Sequence, residues 1–309
     1  MANKPIMYPE KVIVRVPATA ANMGPGFDCL GMALDIFNTV TVERSQNFHI
    51  AVSGQGDGQL SLGEDNMVYR GIGIAYKEIG MGIPTLSLLC HNDIPLLRGL
   101  GSSAAALVGG IVAGNALCGD PLSPERVLQL ATTIEGHPDN IASALYGGCQ
   151  IVVRDGERLI ATSLPLPPDL KALLYIPDFP MPTQEARSIL PDHVSRSDAI
   201  YNVSRAALLA NALATGQLEH LKLATQDVLH QPARQTLFPA MRELFEASLN
   251  AGALGVFLSG GGSTVLALAK TNEDAILRAM AEAGDRAGLK GTTRMAHPTV
   301  EGASVVEKG

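Results

Sequence analysis

The run PLLRGLGSSAA and its continuation ALVGGIVAGNALCG, residues 95–119, constrain this chain more than any other stretch. From Ser102 to Gly119 the residues are almost all small, and the length suits a helix. Glycine inside a helix costs about 1 kcal/mol relative to alanine. Such a helix holds only where close packing compensates, so 102–119 is predicted to be a helix pressed against a sheet. The glycines before it, Gly99 and Gly101, predict a loop whose backbone something approaches closely.

Three ligand-binding readings of that loop are open. Gly99, Gly101 and Ala104 fit G-x-G-x-x-A, but HNDIPLLR separates them from the strand expected at TLSLLCH (85–91), whereas the dinucleotide fingerprint joins strand directly to helix. A Walker A loop needs a lysine after its last glycine, and none follows here. The third reading is an anion cradle. Gly99 and Gly101 let backbone N–H groups turn inward, and Ser102 and Ser103 open a helix whose unpaired N–H groups and dipole favour negative charge. Their hydroxyls can bond phosphate oxygens or a magnesium ion. The structural alternative is a tight turn before a packed helix. A second glycine loop, LSGGGSTVLAL (258–268), is either a flexible hairpin or a backbone that must come close to a ligand or to the first loop. TTIEGHPDNIAS (132–143) adds charge: Glu135 at a helix end, which beside phosphates would suit magnesium, then His137 and Asp139 around a new helix that Pro138 can begin.

Composition narrows the partners. With 309 residues, 46% of them hydrophobic, the chain can form one large domain or two ordinary ones. The net charge is -7, no basic run exceeds two residues, and aromatics are 4% with no Trp, which argues against nucleic-acid binding. Cys29, Cys90, Cys118 and Cys149 form no CxxC pair, which excludes a zinc knuckle or thioredoxin motif. The opening MANKPIMYPEK has no signal-peptide run, and no 18-residue apolar window exists, so a soluble cytoplasmic protein without a membrane partner is expected.

Strands are expected at 12–18, 37–43, 48–54, 85–91, 149–155, 157–164 and 172–177, on both sides of the 258–268 loop, and near GTTRMAH. Helices are expected at 65–80, 102–119, 123–136, 196–215, 218–229, 238–251 and 273–284. This order lacks strict βαβ alternation and predicts an α+β fold. The Pro-rich PLPPDLK marks a boundary near residue 165, giving domains 1–165 and 166–309.

Taken together with VPATAANMGPGFDCLGMALD (16–35), the two glycine loops and EGHPDN resemble the GHMP kinase family in order and across nearly the whole chain. The resemblance implies a ribosomal protein S5 domain 2-like N-terminal domain followed by a ferredoxin-like C-terminal domain, with ATP between them. ATP would be bound by Pro95, Leu96, Leu97, Arg98, Gly99, Leu100, Gly101, Ser102, Ser103, Ala104 and Ala105. Asn66 would either contact adenine or cap a helix. Mg2+ would be held by Ser102 and Glu135. One departure stands out: the family's last motif reads S-G-x-G-P-T, and Ser263 occupies the proline position.

The N-terminal block and EGHPDN are most similar to the branch of the family that acts on L-homoserine, a small-molecule substrate phosphorylated on its side-chain hydroxyl toward threonine. A mevalonate-like or sugar substrate is the alternative. Outside the family, a non-catalytic nucleotide-binding module and a Rossmann oxidoreductase are the rivals. A zwitterionic substrate needs an acid for its ammonium and a cationic fork for its carboxylate. The resemblance assigns Asp28 to the ammonium, with Asn22 adding a hydrogen bond, and Arg187 and Arg234 to the carboxylate. Thr183 would also line the pocket, and His137 and Asn140 would face the hydroxyl. Asn140, His137 and Arg187 form the expected catalytic set. A neutral Asn140 cannot act as a base at neutral pH, so the hydroxyl proton is expected to pass to a phosphate oxygen, directly or through water. A homodimer is the expected assembly.

Overall fold

The computed structural model describes residues 8–309. Residues 1–7, most of the opening segment MANKPIMYPEK, lie outside the described residues. The first part of the chain carries strands β1 (Lys11–Ala21), β2 (Leu30–Arg44), β3 (His49–Gly54), β4 (Leu86–Asn92), β5 (Cys149–Asp155) and β6 (Arg158–Leu164). Interleaved with them are helices α1 (Met67–Ile79), α2 (Ser102–Leu117), α3 (Pro124–Glu135) and α4 (Asp139–Tyr146). The second part carries β7 (Lys171–Pro177), α5 (Thr183–Ser188), α6 (Arg196–Thr215), α7 (Leu221–Ala224), α8 (Gln231–Arg234) and α9 (Met241–Asn250). It continues through β8 (Gly255–Leu258), β9 (Val265–Ala269), α10 (Glu273–Arg286) and β10 (Gly291–Ala296), and β11 (Ser304–Lys308) ends it.

The architecture is α+β, as expected. The first sheet runs β11-β1-β2-β4-β3, with β5 on the other half of β2 and β6 beyond it; the second runs β10-β7-β9-β8. β1 alternates buried and half-exposed residues up to Val16, then buries both faces from there to Ala21. The second half lies under α2 and α4, so polar alternation is not tolerated there. Helices α1 and α2 meet backbone to backbone. A Cβ on Gly110 would lie 2.1 Å from the Val68 carbonyl oxygen, and one on Gly71 would lie 2.6 Å from that of Leu107. This contact is the compensation that a glycine-rich helix requires.

Several expectations need correction. The strand expected at 37–43 is the second half of β2, whose register against β1 shifts between Pro17 and Ala18. The helix expected at 218–229 is broken into a 3-10 turn, Leu218–His220, then α7, then a loop leading to α8. Asp227 breaks it by turning its carboxylate back onto the N–H groups of Leu229, His230 and Gln231 at 2.7–3.0 Å, a capping role that competes with helix continuation. Pro138 is the N-cap of α4 rather than its first residue. The final strand, β11, pairs antiparallel with β1 and so joins the first sheet. Among the described residues all four cysteines are free, and no helix is long and apolar enough to cross a membrane.

Candidate active site

The first glycine loop sits at the seam between the two sheets. Gly99 and Gly101 have φ of 71° and 70°, in the left-handed region. Space as well as conformation demands glycine: a Cβ on Gly99 would lie 2.0 Å from the Ser259 carbonyl oxygen, and one on Gly101 would lie 1.9 Å from Thr19 Oγ1. Gly101 is the N-cap of α2 and supplies no side-chain cap, so the first-turn N–H groups keep their donor capacity for an incoming acceptor. Ser102 lines the cavity there, while Ser103 Oγ donates to Glu135 Oε2 at 3.0 Å.

The second glycine loop braces the first. Ser259 Oγ donates to the Gly99 carbonyl at 2.7 Å, and Thr264 N–H donates to the Arg98 carbonyl at 3.1 Å. Of the two readings of LSGGGSTVLAL, close approach to the first loop is the one observed. Ser263, at the family's proline position, is fully buried and donates to the Phe179 carbonyl at 2.8 Å.

Not every residue of 95–105 faces a ligand. Arg98 donates from Nε to the Pro177 carbonyl at 2.7 Å, from Nη1 to that of Leu96 at 3.1 Å, and from Nη2 to that of Asp178. Its guanidinium therefore ties the loop to the end of β7, and burial lowers its pKa. The Ala104 and Ala105 side chains are in the core, and Pro95 lines neither cavity described here. The Ala105 N–H already donates to the Gly101 carbonyl at 2.8 Å, which leaves only the Ala104 amide of the two for an anion.

A cavity of about 80 Å³ opens at the Ser102 end of α2. From the first half it takes Asn22, Glu135, His137 and Asn140; from the second it takes Thr183, Arg187 and Arg234. Asn140 Oδ1 accepts from Thr19 Oγ1 at 2.7 Å. His137 Nδ1 lies 3.1 Å from Asp139 Oδ1, and its Nε2 is 4.0 Å from Glu135 Oε1. Burial works against a charged His137, but the hydrogen bond and charge of Asp139 outweigh it, and the net pKa is raised.

The expected substrate residues Asn22, Asp28, Arg187 and Arg234 are already engaged with protein. Asn22 donates from Nδ2 to the Gly260 carbonyl at 2.8 Å and accepts from the Asp28 N–H at 3.0 Å. It latches the N-terminal loop to the second glycine loop. Asp28 and Arg187, expected at opposite ends of a zwitterion, form a two-pronged ion pair with each other, one arm at 3.0 Å. Arg187 is raised in pKa: burial disfavours its charge, but the Asp28 bond more than restores it. Arg234 is 1% exposed, and burial followed by the neighbouring Arg187 charge pulls its pKa down to about 10.

A second cavity, about 410 Å³, adjoins the first through Leu97, Ser102 and Ser103. Its walls include Val52, Leu60, Met67, Val68 and Leu96, with Asn66 among them. Asn66 caps α1 by accepting from Val68 N–H at 2.9 Å and donates from Nδ2 to the Ser61 carbonyl at 2.7 Å. Sequence reasoning missed Met181 as cavity lining, and also Thr19 and His230, which lie behind the lining and bond Asn140 and Arg234. A wider groove of about 550 Å³ beside α3 and the β5–β6 hairpin gathers none of the glycine loops' residues. Among the described residues no group of three or more His, Cys, Asp or Glu is placed to hold a metal by itself.

Two linked cavities, one at the serine-led mouth of α2 and one largely apolar, lie side by side where the two glycine loops meet. Residues 66–148 match the family description "GHMP kinases N terminal domain" and residues 206–286 match "GHMP kinases C terminal". The chain belongs to the GHMP kinase family. Within it, the chain is similar to the homoserine kinase of Moorella thermoacetica, 46% identical over 294 residues, covering 95% of this chain and 99% of that one. It is also similar to the homoserine kinase of Desulfitobacterium hafniense, 43% identical over 296 residues, covering 96% and 100%. A crystal structure of homoserine kinase from Cytophaga hutchinsonii superimposes with a TM-score of 0.86 at 29% identity, covering 99% of this chain and 100% of that one.

Proposed function

We propose that the protein transfers the γ-phosphoryl group of ATP to the side-chain hydroxyl of L-homoserine, giving O-phospho-L-homoserine in the route to threonine. The observation that carries the reading is the shared cavity: the open mouth of α2 faces the same small space as His137, Asn140, Arg187 and Arg234. The homoserine kinases it resembles over nearly their whole length support the same substrate. A mevalonate-like or sugar substrate is not favoured, since neither carries an ammonium group for Asp28.

The apolar cavity beside Asn66 takes the nucleoside, and the amides of Ser102 to Ala104 neutralise the polyphosphate where a P-loop would use lysine. Glu135 and Ser102 offer hard oxygen donors of the kind magnesium prefers, and Ser103 orients Glu135. Bound there with phosphate oxygens, the ion would neutralise charge on the transferred group. Binding of the zwitterion exchanges the Asp28–Arg187 pair for two new ones, with the ammonium on Asp28 and the carboxylate on Arg187 and Arg234. Asn140, held by Thr19, keeps its amide N–H groups for the substrate hydroxyl. An amide takes no proton at neutral pH, so the hydroxyl proton moves to a phosphate oxygen, directly or by water. Positioning and charge neutralisation supply the rest of the catalysis. A cytoplasmic location and a homodimer belong to this reading and are checked by cell fractionation and light scattering.

The test is an ADP-release assay with homoserine, mevalonate and galactose at equal concentrations. Release dependent on homoserine alone is expected. Turnover of mevalonate or galactose without turnover of homoserine would remove the proposal.

A further inference from the structure

His230 lies outside the cavity lining, yet it is fully buried and touches a residue that lines it. Its Nδ1 is 2.9 Å from Arg234 Nη1, and its Nε2 is 2.8 Å from the Gly24 carbonyl oxygen. Both contacts are satisfied by one protonation state only. A guanidinium can donate and never accept, so Nδ1 must carry a lone pair; a carbonyl can only accept, so Nε2 must carry the proton. The ring is therefore neutral. Burial and then the Arg234 charge hold its pKa down, against the Asp227 carboxylate 3.6 Å from Nε2.

The donors of Arg234 can be followed one by one. Nε donates to the Ala186 carbonyl at 3.2 Å, and the two hydrogens of Nη1 go to His230 Nδ1 at 2.9 Å and the Gly260 carbonyl at 3.0 Å. Of five N–H groups, the two on Nη2 have no protein acceptor among the described residues. Nη2 is not fully buried, so it opens onto the cavity that Arg234 lines.

His230 is itself held on every side. Its ring stacks on Phe27 with centroids 5.1 Å apart. Its backbone N–H donates to Asp227 Oδ2 at 3.0 Å. Asp227 Oδ1 in turn accepts from Asn202 Nδ2 at 2.8 Å, and Asn202 reaches the Pro25 carbonyl at 3.3 Å. The chain of contacts runs from the 22–28 loop through Asp227 and His230 to Arg234.

We infer that His230 is a positioning residue: as a neutral acceptor it fixes the rotation of the Arg234 guanidinium, so that the two Nη2 N–H groups present a ready fork to the substrate carboxylate. The inference rests on the homoserine reading for the identity of that carboxylate. The class of ligand recognised is a free α-carboxylate, and the gain is pre-organisation.

Two variants separate this role from simple packing. His230→Phe keeps the ring volume and the stack on Phe27 but loses the acceptor. His230→Asn keeps an acceptor oxygen near the Nδ1 position. With thermal melts establishing that both fold, His230→Phe is expected to raise the homoserine KM roughly 10-fold with kcat and the ATP KM within 2-fold, and His230→Asn is expected to recover most of that loss. An unchanged homoserine KM in His230→Phe, or an equal loss in both variants, overturns the inference. A readout free of activity accompanies these assays. Nitrogen-15 NMR of the wild-type imidazole at pH 7.5 is expected to show a neutral ring protonated on Nε2. A cationic ring, or one protonated on Nδ1, overturns the inference even if homoserine is the substrate. If homoserine is not turned over while the NMR result holds, the substrate reading fails and the Arg234-holding role of His230 stands.

Discussion

The proposed phosphate side and the proposed substrate side of the site are built by opposite means. The phosphate side is main chain: a loop between two left-handed glycines, braced by a second glycine loop, and the unpaired amides of α2. The substrate side is side chain, brought together from segments as far apart as Asp28 and Arg187. A backbone device resists substitution because it leaves no room. A side-chain device can be dismantled one group at a time, and its parts are already bonded to each other before any ligand arrives.

The sharpest way to break that contrast is Gly99→Ala. The new methyl would lie 2.0 Å from the Ser259 carbonyl in a left-handed conformation. Backbone strain and overpacking each cost about 1–3 kcal/mol, which together correspond to roughly a 30-fold or greater fall in kcat/KM for ATP. The expected pattern is loss of ATP use in a chain whose far-UV spectrum is retained. If kcat/KM for ATP stays within 3-fold, the backbone cradle is not what binds the polyphosphate.

The opposite pattern is expected for Arg187→Ala. Arg187 is partly exposed, with its side chain 34% accessible, and its partner Asp28 is equally open. Losing one charge-assisted bond to the substrate costs about 1.5–3 kcal/mol, or roughly 10- to 150-fold in homoserine KM, with the ATP KM unchanged. An unchanged homoserine KM would leave Arg187 as a structural partner of Asp28 and nothing more.

The same contrast explains which parts of the site are legible in the sequence. Gly99, Gly101, Gly260 and Gly262 are legible because a positive φ or a close backbone approach dictates the residue type locally. The helix over 102–119 is legible for the same reason: small residues in such number need a backbone partner, and α1 supplies it. Side-chain sites carry no such local signature. HQPAR shows Arg234, but nothing in spacing alone assigns His230 four residues earlier as its acceptor, although i, i+4 neighbours on a helical turn do meet. Asp28 and Arg187 have the right charges for a zwitterion, and their pairing with each other appears only in space. The helix expected at 218–229 failed because apolar periodicity cannot show that Asp227 folds back onto three backbone N–H groups. Strand β11 was missed because a short, exposed terminal strand depends wholly on its partner β1.

The smallest expected effect concerns Asp139, which stands between the two sides. It begins α4, accepts from the Asn140 N–H at 2.8 Å and holds His137 at 3.1 Å. Burial alone would lower the His137 pKa, yet the bond and charge of Asp139, with a lesser contribution from Glu135, raise it against the opposing Arg187. A histidine with a pKa higher in the folded than in the unfolded chain binds its proton more tightly when folded. The stability this contributes is complete below the unfolded value, near 6.5, and is lost as pH rises through the folded value. Asp139→Asn keeps an oxygen for the Asn140 N–H but removes the charge that favours imidazolium. Denaturant unfolding from pH 5.5 to 8.5 should therefore show the wild type losing stability across that upper window more steeply than the variant. Parallel curves would mean that Asp139 does not set the protonation of His137. The same variant also bears on catalysis. If Asp139 were the general base, turnover would collapse while ATP affinity stayed intact; a proton passed to phosphate requires turnover to be largely kept.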